Sequence, residues 1–129
     1  MLFKNLFRTI RQIHSSVREI AKEKTRSPRW SKVRDAYLHS HPVCEACGSS
    51  EKMQVHHVKP FHLQPELELE VSNLISLCMG ENECHLYLGH GDSFSCYNPN
   101  VRNDARKFSQ SSIEDRQKIV VEAKKNRIN

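Results

Sequence analysis

At 129 residues the chain has room for one hydrophobic core and not for two. With 37% apolar residues and four glycines that core is modest, and no apolar run is long enough to cross a bilayer or to act as a secretory signal, so a membrane partner is not expected. Net charge is +5 but unevenly placed: residues 1 to 35 hold ten Lys/Arg against three acids, an excess of +7 that favours a polyanion such as nucleic acid, although a solvated helix face carries charge in the same way.

Leu2, Leu6, Ile10, Ile13, Val17 and Ile20 recur every three or four residues with Phe3 and Phe7 beside them, the spacing of an amphipathic helix. Lys4, Arg8, Arg11 and Arg18 fall largely off that stripe, which is expected to pack on the rest of the protein or on a second copy. An acid-free, Arg-containing start is also the composition of an organelle transit peptide. Pro28 ends the pattern, and "SKVRDAYLHSH" predicts a second short helix with Ser31 as N-cap and Trp30, Val33, Ala36 and Tyr37 facing inward. "KMQVHHV" predicts a strand, "KPFHLQPE" a loop with two prolines, and "VSNLISLC" a short apolar, strand-like run. After a further loop, "GDSFSCYNPN", two helices are expected: Val101 to Phe108 capped by Asn100, and Ile113 to Lys125 opened by Ser111 with Glu114 three residues on. The division expected is a basic helical region over 1–41, a core over 42–100 and a helical region over 101–129.

Cys44 and Cys47 form a CxxC pair in "VCEACGSS", where Gly48 suits the tight turn that aims two thiolates at one point. Cys78 and Cys84 make a second pair with the longer insert "MGENE", which must bulge outward. Two such pairs fill the coordination of a structural Zn²⁺, and a thiol set in a chain lacking a secretory signal reads as metal-binding before it reads as disulfides. Free buried thiols, or one disulfide with spare cysteines, are the alternatives. Cys96 lies outside the paired spacing and is expected to be an ordinary, partly buried thiol.

Eight histidines are present, and His56, His57, His62, His85 and His90 lie within 35 positions. On a strand His56 and His57 point to opposite faces and so cannot do the same job. His85 follows Cys84 directly, so a metal-anchored backbone would fix it. On a regular α-helix residues five apart diverge by about 140°, so His85 and His90 would not share a face unless the helix is distorted or ends at Gly89. His62 is expected to be a surface polar residue, as are His14, His39 and His41.

Together "CEAC", "VHHVKP", "NLISLC" and "CHLYLGH" resemble the HNH endonucleases, a family of ββα-metal nucleases found in phages, restriction enzymes, homing nucleases and toxins. The resemblance covers about Pro42 to His90, with a looser echo in "PRWSKVRDAYLHSHP" and "YNPNV". It implies an α+β fold: a small zinc-stabilised ββα-metal core flanked by N- and C-terminal helices. It also implies a metal-dependent endonuclease that hydrolyses DNA phosphodiester bonds, nicking or cutting both strands, and usually leaving 5′-phosphate and 3′-hydroxyl ends. Carried over by position, His56, His85 and His90 match the histidines that hold the catalytic metal, His57 the general base, and Asn73 the asparagine that ties loop to strand and helps orient the base. In the family's usual pattern the last two histidines lie closer together, so Asp92 is an alternative third ligand. The cofactors implied are structural Zn²⁺ at Cys44, Cys47, Cys78 and Cys84, and one catalytic divalent ion: Mg²⁺, Mn²⁺, Ni²⁺ or Zn²⁺. Lys59, Arg102 and Arg106 are candidate phosphate contacts or plain surface charge. The expected partner is DNA, with phage packaging proteins or a second copy as further candidates, and the expected location is the cytoplasm of a bacterial or phage-infected cell. The competing expectation is a catalytically inactive, zinc-containing DNA-binding or protein-interaction module.

Overall fold

The computed structural model describes residues 25–129, so the amphipathic helix expected through Ile20 lies outside the described residues. In chain order the described elements are helix α1 (Trp30–Ser40), strand β1 (Met53–His57), two 3₁₀ turns (Pro65–Leu67 and Val71–Asn73), strand β2 (Leu74–Cys78), a π-helical turn (His85–Gly89), helix α2 (Val101–Ser109) and helix α3 (Ile113–Asn126). This is the α+β arrangement expected, a two-stranded sheet with helices on its flanks.

The strands are antiparallel, with Met53 opposite Cys78, Val55 opposite Ser76, His56 opposite Ile75 and His57 opposite Leu74. Both faces of β2 are covered, which is why all five of its residues are buried and why it reads as an unbroken apolar run. On one face α1 lies across the sheet: the Tyr37 hydroxyl donates to the Leu74 carbonyl at 2.9 Å and the Ser76 hydroxyl to the His41 carbonyl at 2.8 Å. On the other face Ile75 and Leu77 meet Leu88 of the π-turn, Val101, Ala105 and Phe108 of α2, and Ala123 of α3. Cys44, Cys78 and Cys84 belong to the same buried cluster, so the thiol group is continuous with the core.

Two helix starts differ from expectation, each for a local reason. Helix α1 begins at Trp30 after Arg29 with no side-chain cap, because the Ser27 hydroxyl already accepts the Arg29 N–H at 3.2 Å and the Ser27 carbonyl the Trp30 N–H at 3.0 Å. Of its expected inward residues Tyr37 is buried and Trp30 and Val33 are half-buried, but Ala36 is exposed. The cap of α3 is Ser112, whose hydroxyl accepts the Asp115 N–H at 3.3 Å, since the Ser111 hydroxyl is spent on the Lys107 carbonyl that closes α2. Asn100 precedes α2 as expected but makes no side-chain cap bond.

Candidate active site

The first CxxC folds as a knuckle. The Gly48 N–H donates to the Cys44 carbonyl at 2.8 Å, and Gly48 sits at φ +76, where a side chain would be strained. Cys78 ends β2 and Cys84 immediately precedes the π-turn, so the longer insert arches out between two fixed elements. The four sulfurs lie within 4.8 Å of one another, and Cys47 and Cys78 stand 3.5 Å apart. All five cysteines are free, and 3.5 Å far exceeds an S–S bond of about 2.05 Å, so the disulfide alternative falls away. A tetrahedral ion with metal–sulfur bonds of about 2.3 Å needs sulfurs about 3.8 Å apart, which this cluster fits. The Cys44 thiol is pulled down, chiefly by the hydrogen bond it receives from Cys84, which is pushed up in turn. Four convergent sulfurs thus already favour a thiolate. Cys96 stands outside the cluster and is half-buried, as expected.

The second convergence is of histidines. A π-turn widens the helix so that residues five apart come back to nearly the same side. His85 opens such a turn and His90 directly follows it, which brings together two side chains that an α-helix would separate. Their Nε2 atoms are 3.2 Å apart, and His85 Nε2 is 3.1 Å from His56 Nδ1. The outer nitrogens are committed: His85 Nδ1 donates to Gln54 Oε1 at 2.5 Å and His90 Nδ1 to the Cys96 carbonyl at 2.7 Å. Those bonds fix the protons on Nδ1 and leave both Nε2 lone pairs facing each other and His56. Protonation cannot relieve this cheaply, since burial pushes His85 down to about 4, lowers His90, and holds His56 well below the ordinary histidine value. Three ring nitrogens at this spacing are close to what an ion with metal–nitrogen bonds of about 2.1 Å requires, nitrogens about 3.4 Å apart in a tetrahedral arrangement. Either cluster can therefore hold a metal ion.

The frame around the triad is tight. A Cβ on Gly89 would stand 3.1 Å from His56 Nδ1 and 3.2 Å from His85 Cδ2, so this glycine makes room for the rings. Asn98, fully buried, holds the π-turn by two bonds, its backbone N–H to the Gly89 carbonyl at 2.9 Å and its Nδ2 to the Leu88 carbonyl at 2.9 Å, and Nδ2 also donates to the Asp104 carboxylate of α2 at 2.7 Å.

His57, on the opposite strand face, has other company. Its Nε2 donates to the Glu68 carbonyl at 2.9 Å, and its ring lies 4.4 Å from that of Trp30. Nδ1 has no protein hydrogen-bond partner among the described residues, and burial lowers its pKa, so the neutral ring with a free Nδ1 lone pair is the form present at neutral pH. The carboxylate of Glu68, itself buried, accepts the Ser27 N–H at 3.0 Å and pairs with Arg26 at 3.6 Å, tying the segment before α1 over His57. Asn73 fixes the same loop: Oδ1 accepts the Lys59 N–H at 2.9 Å, and Nδ2 donates to the carbonyls of Lys59 at 3.1 Å and Leu67 at 3.3 Å.

Because His57 is the last residue of β1, the two faces open into one cleft of about 340 Å³. It is lined by His56, His85 and His90, by His57, and by Arg26, Phe61 and Phe94 among others, and among the described residues its wall holds no carboxylate. Asp92 is not drawn in: its carboxylate pairs with Lys124 at 3.5 Å, and His90 completes the triad instead. Lys59 is exposed at the loop. Arg102 donates to the carbonyls of Ser72 and Leu74, and with Arg106 lines a separate shallow pocket beside Glu45. His62 is exposed on the cleft rim.

Gln54, Glu68, Arg26 and Asn98 were not singled out from the sequence. Gln54 carried a signal, two residues before His56 and so on the same strand face. Glu68 stands between Glu66 and Glu70, as surface charge would, and only the fold shows it buried.

Residues 44–90 match the model of the HNH endonuclease family, roughly a third of the chain. The match begins at Cys44 and ends at His90, the first and last of the side chains in the two convergent clusters, so the resemblance seen in the sequence is borne out over that stretch. No curated protein and no solved structure matches the chain.

Proposed function

We propose that this chain, with its HNH endonuclease stretch, is a metal-dependent endonuclease that hydrolyses DNA phosphodiester bonds. One observation carries the proposal: ring nitrogens of His56, His85 and His90 converge at 3.1 and 3.2 Å, with the outer nitrogens of His85 and His90 committed, in the same cleft as a fourth imidazole that takes no part in the convergence. A divalent ion on His56, His85 and His90 would supply Lewis acidity to the phosphate and to the departing 3′ oxygen. The thiolate cluster would hold a structural Zn²⁺.

The protein's own groups supply the rest. His57 takes the proton of the attacking water on Nδ1, while its Nε2–H on the Glu68 carbonyl fixes the tautomer and supports the imidazolium that results. Asn73 positions rather than reacts, because its three bonds hold the loop that carries that carbonyl. Arg26 is the cleft's own cation, stacked 4.5 Å over Phe61 and half-exposed, and is a better-placed phosphate contact than Arg102, whose guanidinium is spent on two carbonyls. Lys59 and Arg106 are exposed and do not line the cleft. A binding-only zinc module would have no use for the fixed tautomer of His57.

Metal content tests the proposal. The purified protein should carry two ions per chain, and His85→Ala should carry one, the zinc. One ion per chain in the unaltered protein, loaded with any of manganese, nickel or zinc, would remove the histidine site. Gln54→Leu, which takes away the carbonyl fixing His85, should weaken the histidine site by about 10- to 100-fold without touching the thiolate ion. Titration calorimetry on zinc-loaded protein reads this directly. Gly89→Ala should act in the same direction by pressing on the His56 ring.

A further inference from the structure

Phe94 has no place in the chemistry above, yet it stands beside it. It is 59% exposed at the tip of the loop that follows the π-turn, with its ring 4.9 Å from His90 and 5.9 Å from His85. The loop is not slack: the Asp92 N–H donates to the Leu86 carbonyl at 3.0 Å, the Cys96 N–H to Ser93 at 2.9 Å, and Arg127 to the Gly91 carbonyl at 2.8 Å. An aromatic ring is thus presented to solvent on a braced turn. The other strongly exposed apolar side chains among the described residues, such as Val43, Leu63 and Ile113, are aliphatic and lie outside the cleft.

An exposed ring in a cleft whose wall, among the described residues, carries Arg26 and no carboxylate has the chemistry of a nucleobase seat: a flat apolar face for the base and a cation for its phosphate. A base within an intact duplex is stacked on both sides and cannot lie on a side chain. It must first unstack, which costs least where it is already unpaired. Resting on the nuclease reading above, we infer that Phe94 is a base-stacking platform and that the cleft prefers DNA with an unpaired nucleotide at the cut over continuous duplex. Ring stacking is insensitive to base identity, so the preference is for structure and not for sequence.

A rival role, shielding the histidine-held ion, makes different predictions. Equilibrium binding of a single-stranded oligonucleotide and of the matching duplex is measured with metal-loaded His57→Ala protein, which cannot consume its ligand, alone and combined with Phe94→Ala or Phe94→Trp. Stacking predicts tighter binding of the unpaired strand, a loss of about tenfold for that strand with Phe94→Ala, little change for duplex, and retention with Phe94→Trp. Metal affinity by calorimetry should be the same in all three. Equal binding of both DNAs before Phe94 is altered, or loss of metal affinity with Phe94→Ala, would overturn the inference. Absence of cleavage of every DNA by the unaltered protein would instead overturn the nuclease reading and leave this binding result standing.

Discussion

His57→Ala should lower strand cleavage by about 10²- to 10⁴-fold while both metal sites stay filled. The size follows from what is removed, one proton acceptor, and the sparing of metal follows from position. His57 lies on the strand face away from the triad, and its ring touches Trp30 and the Glu68 carbonyl but no triad ring. His56→Ala, one residue earlier, should instead lose the histidine-held ion along with activity, since His56 Nδ1 is one of the three convergent nitrogens. Single-turnover rates on a nicked-plasmid assay, paired with metal analysis of the same samples, separate the two. Equal metal loss in both variants would mean that neighbouring histidines share one role. Activity unchanged in His57→Ala would assign the base elsewhere.

Removing the thiolate-held ion should unfold the described core. Structural zinc contributes on the order of 10 kcal/mol to folding, as large as the whole stability of an ordinary domain at about 5 to 15 kcal/mol. Here the aliphatic core is small, and Cys44, Cys78 and Cys84 are part of it. Cys78 also ends β2 and Cys84 launches the π-turn, so without the ion both supports of the histidine site lose their anchor. Cys84→Ser, or a strong chelator at neutral pH, is therefore expected to abolish the cooperative thermal transition seen by circular dichroism and to prevent loading of the histidine site. A transition unchanged in midpoint after complete zinc removal would show that the core stands on its side chains alone.

How far the sequence disclosed all this depended on whether the cause was local. The strands, α2 and α3 were legible because periodicity and punctuation set them, and the cysteine pairs because CxxC spacing is a chain-bending constraint in itself. Pairing His85 with His90 was half legible: five residues do not fit an α-helix, and Gly89 hinted at distortion, but the π-turn is held by Asn98 reaching back from downstream, itself bonded to Asp104. The support of His57 was not legible at all. Its Glu68 carbonyl is a backbone atom, and Trp30 and Arg26 come from far along the chain. The cap of α3 slipped by one residue because two adjacent serines were equal candidates until Lys107 claimed the first. Arg102 looked like a free cation, since nothing in its neighbours announces the carbonyls of Ser72 and Leu74.

The most direct measurement is the fate of supercoiled plasmid incubated with the protein and each of magnesium, manganese, nickel and zinc. Nicked circles or linear DNA should form with at least one ion, stop on addition of EDTA and return when that ion is restored. Plasmid that stays supercoiled with every ion, or that is cut equally well in EDTA, would contradict the account.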